Sequence, residues 1–218
     1  KKNIGLVLKD YQDEAVEKLK KEVNELLNLD DDKLAIFEAP TGSGKTIMMG
    51  EFLKRLVNPI DREDSKAFSF IWISVRDLHN QSRKSLEKNF PHDFTYSEFD
   101  DIENNRIKRN EILFLNWESI NKENNVYVRE NEKGKNLTTV IENTKAQGRY
   151  IILIIDESHH TALSERSTQI KNDMGAKVTI EVSATPIFRN PDAHAKVHFE
   201  KVIAEGMIKK EISINPEF

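Results

Sequence analysis

A chain of 218 residues that is 38% hydrophobic and 32% charged has enough apolar material for one substantial core and enough charge to be well solvated. No apolar run approaches the roughly 18 to 20 residues of a membrane span, and the N-terminal "KKNIGLVLKD" returns to charge too soon for a secretory signal. The lack of cysteine excludes disulfides and thiolate metal sites and fits a cytoplasmic setting, while a net charge of −4 leaves only a local basic groove to attract nucleic acid.

In chain order the first pattern is helical: Ala15, Val16, Leu19, Val23, Leu26 and Leu27 recur at helical spacing, with Asp10 placed to cap them. "LAIFEAP" (34–40) then reads as a strand covered on both faces. After a glycine-rich loop, Ile47, Met48, Phe52, Leu53 and Leu56 resume helical spacing until Pro59. "FSFIWIS" (68–74) is the second strand, and Asp77 is expected to cap a helix carrying Leu78 and Leu86. Residues 90–110 and 121–136 are polar and irregular, so both are expected to be surface excursions. Between them lies a third strand, "EILFLN" (111–116). Leu137, Val140, Ile141 and Thr144 form a helical stripe that Gly148 ends. "YIILIID" (150–156) and "VTIEVS" (178–183) are the last strands. Strands alternating with helices predict an α/β fold, a mostly parallel doubly wound sheet with helices on both faces. One domain is expected over 1–218.

The loop "APTGSGKT" (Ala39–Thr46) matches the phosphate-loop pattern except at its first position, where Ala39 replaces glycine. Gly42 and Gly44 let the backbone turn its N–H groups inward around an anion, and the helix beginning near Lys45 aims its positive end at the same place. Lys45 adds a mobile charge for the outer phosphates, and the Thr46 hydroxyl is a ligand for Mg²⁺. Thr41, Gly42, Ser43, Gly44, Lys45 and Thr46 are therefore the candidate nucleotide-binding residues. Downstream, "IILIIDESHH" runs an apolar strand into two carboxylates. Asp156 is the candidate Mg²⁺ ligand and Glu157 the candidate base for an attacking water, with Lys45 completing the catalytic set. His159 and His160, and the pair His194 and His198, offer little as metal sites without further ligands.

Two more segments complete a series: "LKDYQDEAV" (8–16) before the loop and "SATP" (183–186) after the last strand. In order and placement, "YQDEAV", "APTGSGKT", "DESH" and "SAT" resemble the conserved segments of superfamily 2 helicases and translocases. Within that superfamily, "FLNWESI" (114–120), "LIIDESHH" and "VHFEKVIAEGMIKKEI" (197–212) resemble the motor (Res) subunit of type III restriction enzymes. The resemblance implies an N-terminal RecA-like lobe that binds ATP and Mg²⁺ and contacts double-stranded DNA. By position it makes Gln12 a reader of adenine, a role that suits an amide able to donate and accept at one base edge. It makes Ser183 and Thr185 couplers of nucleotide state to the nucleic-acid face, and Arg76, Gln81 and Asn116 candidates for nucleic-acid contact. It further implies a second RecA-like lobe and a nuclease domain in a full-length chain, neither of which is expected within these 218 residues, and a modification or specificity subunit as partner. Two other readings remain: a superfamily 2 helicase of DNA repair, and a nucleotide-gated DNA-binding module without turnover. No membrane partner is expected.

Overall fold

Apolar runs without alternation need cover on both faces, and here they receive it from helices. The computed structural model describes residues 6–58, 66–76, 78–121, 136–158 and 165–206. Its strands are β1 (Lys33–Glu38), β2 (Phe68–Ser74), β3 (Thr95–Ser97), β4 (Glu111–Asn116), β5 (Tyr150–Asp156), β6 (Val178–Ser183) and β7 (Ala193–Lys196). They form one seven-stranded, all-parallel sheet in the order β3-β4-β2-β5-β6-β1-β7. All five expected strands are present, and the fold is the α/β arrangement the alternation predicts, RecA-like as the resemblance implies.

Strand side chains alternate between faces, so each apolar run is divided between two cores. Phe70 and Trp72 of β2, Ile152 and Ile154 of β5, and Ile180 and Val182 of β6 join one core. Helices α1 (Asp10–Leu26), α2 (Lys45–Val57) and α3 (Leu78–Asn89) cover it with Leu19, Val23, Met48, Phe52 and Leu86. Ile71, Ile73, Leu153 and Ile155 point the other way. There α4 (Trp117–Asn121), α5 (Leu137–Ala146) and α6 (Glu165–Asp173) cover them with Trp117, Val140, Ile141 and Ile170. A short helix, α7 (Phe199–Ala204), returns Val202 to the first core.

Polar ties fix the layers. Arg55 on α2 reaches Asp13 and Glu17 on α1, both at 2.6 Å, as well as Glu51 on its own helix at 2.9 Å. Beneath α6, the buried Glu181 of β6 meets Lys171 at 2.6 Å. At the far edge, Glu111 accepts from the Ser97 hydroxyl and from the Lys108 N–H, both at 2.5 Å.

Two expectations need correction. Helix α1 is capped by Lys9, in extended conformation, and Asp10 is its first helical residue. Residues 90–110 are more than a surface excursion: they carry β3, and Phe90, Phe94, Phe99, Ile102 and Ile107 are buried. The polar residues between hide a few apolar anchors spaced too irregularly for either regular period. Strands β3 and β7 escape sequence reading for a related reason. Each pairs on one side only, and "TYS" and "AHAK" are short, so neither needs a continuous apolar run. Asp77, Pro59, His159, His160 and most of the second polar segment lie outside the described residues.

Candidate functional site

Because every strand runs the same way, the carboxyl ends of β1, β6 and β5 share one edge of the sheet, where open α/β sheets bind ligands. Strand β6 lies between the other two, with Ser183 opposite Glu38 of β1 and Val182 opposite Asp156 of β5. The glycine loop leaves β1 through Ala39, whose N–H donates to the Ser183 carbonyl at 3.1 Å. That bond continues the β-ladder by one residue, so a small side chain with ordinary backbone geometry serves where the strict pattern has glycine. Gly42 and Gly44 adopt left-handed conformations, with φ of 80° and 88°, and Gly44 caps α2. The Ser43 hydroxyl is buried without a hydrogen-bond partner among the described residues.

Thr41, Gly42, Gly44, Lys45 and Thr46 line a cavity of about 530 Å³ together with Asp156 and Glu157. Lys45 Nζ lies 3.4 Å from Glu157 Oε1. Glu157 has a φ of 53°, a left-handed conformation that costs a non-glycine residue of order 1 kcal/mol and clusters at functional sites. Asp156 is buried at 7% exposure. Burial pushes its carboxyl above the usual range and the Glu157 charge adds to this; the Ser82 hydroxyl, Lys45 and the Glu157 N–H oppose it without cancelling it. Ser82 Oγ, on α3, donates to Asp156 Oδ2 at 3.2 Å.

The remaining expected residues divide between this cavity and its surroundings. Gln81 lines the cavity rather than standing with Arg76. Ser183 is fully buried, and its hydroxyl accepts from the Thr185 N–H at 3.0 Å. Gln12 spends its amide on the protein: Oε1 accepts from the Lys9 N–H and Nε2 donates to the Ser43 carbonyl, both at 3.0 Å. Arg76 and Asn116 meet at the ends of β2 and β4. Arg76 has a φ of 53°; its N–H donates to both oxygens of Glu118 at 2.9 Å, and its carbonyl accepts from Asn116 Nδ2 at 2.7 Å. Asn116 Oδ1 accepts from the Glu118 N–H at 2.8 Å, so this side chain is a bracket for the Arg76 turn. His194 contacts Glu38 at 2.9 Å and His198 caps α7. Sequence reasoning missed Tyr11, Ser82 and Glu118, although Tyr11 adjoins Gln12, Ser82 adjoins Gln81 and Glu118 lies within the segment 114–120.

With this geometry in view, the family model for the type III restriction enzyme res subunit (ResIII) matches residues 5–188. The chain belongs to that family. The ResIII domain is a helicase-like domain of restriction enzymes, and membership implies nucleoside-triphosphate binding. Among solved structures, a nuclease-deletion mutant of the Type ISP restriction-modification enzyme LlaGI, in complex with a DNA substrate mimic, has a similar fold. It has a TM-score of 0.54 and 14% identity over 94% of this chain. The ResIII chain spans 21% of that enzyme's chain. No curated protein sequence matches it. Among the described residues, no helix is long and apolar enough to cross a membrane.

Proposed function

We propose that this chain is the ATP-binding first motor lobe of an ATP-dependent DNA helicase or translocase, the res subunit of a type III restriction enzyme. The observation that carries the proposal is the meeting of the glycine loop, Lys45, Asp156 and Glu157 in one cavity. Residues 1–218 make a single RecA-like lobe in this reading. The parent chain adds a second lobe and a nuclease domain and works with a modification or specificity subunit.

The donor set fits a triphosphate and a hard cation. Loop N–H groups and the N-terminus of a 13-residue helix suit anionic oxygens. A carboxylate at Asp156 and a hydroxyl at Thr46 suit Mg²⁺, which prefers oxygen and keeps several waters. When bound, the cation neutralises charge developing on the phosphates. The chain's own residues do the rest. Lys45, now beside Glu157, moves to the outer phosphate, and Glu157 is released to orient and deprotonate water. Successive strand side chains point to opposite faces, and the left-handed backbone at Glu157 breaks that alternation where both carboxylates line the cavity. Ser183, which ends the strand between loop and carboxylates, and Thr185, two residues beyond it, are placed to feel both. Arg76 contacts the backbone of double-stranded DNA.

Calorimetric titration with a non-hydrolysable ATP analogue and Mg²⁺ tests this. The wild-type chain binds, and Lys45→Ala loses binding while its circular dichroism is unchanged. Equal affinity in the two proteins removes the loop from its assigned role.

A further inference from the structure

A loop that cradles an anion must solve a second problem on its outer side. The peptide bond is planar and trans, so a carbonyl and the next residue's N–H point in opposite directions. Each N–H turned toward the anion therefore sends a carbonyl outward, and a buried carbonyl needs a donor. At the Ser43–Gly44 peptide that donor comes from α1. Tyr11 Oη donates to the Ser43 carbonyl at 2.7 Å, and Gln12 Nε2 donates to the same oxygen at 3.0 Å. Both side chains are buried, at 4% and 6% exposure.

We infer that Tyr11 is a positioning residue for the phosphate site: its hydroxyl, with the Gln12 amide, holds the Ser43 carbonyl outward and thereby aims the Gly44 N–H at the bound phosphate. The inference rests on the nucleotide-binding reading above. It gives the start of α1 a role toward the phosphates that is independent of the base.

The holder is itself rigid. The Lys9 N–H occupies Gln12 Oε1 and leaves Nε2 facing the loop. The three carboxylates around Arg55 lock α1 to α2, the helix that begins at the loop's far end. The contact is also close: a Cβ on Gly44 would lie 2.6 Å from Gln12 Nε2, so this peptide and the Gln12 amide are packed against each other. Burial raises the Tyr11 phenol above its ordinary value despite an opposing Gln12 bond, and a nearby Glu205 charge adds to the rise. It remains a donor at every working pH.

The test uses a ligand that has no base. Inorganic tripolyphosphate with Mg²⁺ is titrated into the wild-type chain, Tyr11→Phe, Gln12→Met and Lys45→Ala, beside ATP. Tyr11→Phe keeps the packed ring and removes one hydrogen bond. It weakens tripolyphosphate about three- to tenfold, the effect of one lost bond. ATP weakens by the same factor, and the preference for ATP over GTP does not change. Gln12→Met weakens tripolyphosphate similarly, which covers the case of a poorly folded Tyr11 variant. If Lys45→Ala loses tripolyphosphate but both α1 variants bind it like wild type, the positioning role is wrong and the anion site stands. If Lys45→Ala binds like wild type, the anion site itself falls, and the positioning role with it.

Discussion

Gly44 allows the loop–helix contact to be measured without any ligand. An alanine there meets two separate costs. A left-handed backbone costs an L-residue roughly 1–2 kcal/mol, and φ at Gly44 is 88°. The new Cβ would also lie 2.6 Å from Gln12 Nε2. To clear it the Gln12 amide must shift and give up its bond to the Ser43 carbonyl, about 1 kcal/mol more. Gly148 is the control: its φ is 72°, and a Cβ there meets nothing within 4 Å. Gly148→Ala therefore costs about 1–2 kcal/mol, and Gly44→Ala about 2–3 kcal/mol. For a domain of this size, 1 kcal/mol moves the melting temperature by about 2–4 °C. Differential scanning calorimetry without nucleotide should show Gly44→Ala melting about 2–4 °C below Gly148→Ala. In a Gln12→Ala background the gap should close, since the bond is already gone. Equal losses in the wild-type background would refute the coupling between loop and helix.

Three further outcomes are expected. Lys171→Ala strands Glu181 under α6 and should cost about 3 kcal/mol in chemical denaturation, while Lys171→Met with Glu181→Leu should stay near wild type. Glu38 sits between Lys196 and His194; burial pushes its carboxyl up, but bonds from those two residues outweigh it and leave it below its ordinary 4.5. A lowered value means that this stability is complete above about pH 4.5 and fades as pH falls through the lowered value. Glu38→Gln should therefore flatten the acid limb of a melting-temperature profile, and an unchanged limb would count against the trio. Finally, an arginine inserted from a second lobe is worth about 10³ to 10⁵ in rate, so this chain alone should turn over ATP very slowly. Brisk, DNA-stimulated phosphate release would show otherwise.

Much of this was legible because the central strands and the site share one cause. A strand such as β5, buried along Ile151–Asp156, must be apolar on both faces. A carboxylate at its end must then have a reason to be there. The glycines at 42 and 44 were legible for a similar reason: few residues tolerate the backbone they adopt. Short edge strands and tertiary hydrogen bonds were not legible. Nothing in "NQSRKS" marks Ser82 as the partner of Asp156, because α3 crosses from a different strand. Glu118 looked like any first-turn acid, and its bond to the Arg76 amide depends on β2 and β4 being neighbours. The resemblance assigns Gln12 to the base; that its amide also holds the loop is visible only once α1 packs beside Ser43.

One strand, β6, separates β1 from β5. Two neighbour spacings of about 4.8 Å put the bases of the loop and the acidic pair roughly 10 Å apart. That gap is ruled by main-chain hydrogen bonding and is indifferent to which side chains occupy the rungs. Evolution can therefore rewrite the helices and surface turns freely while the caliper that grips the ligand stays set.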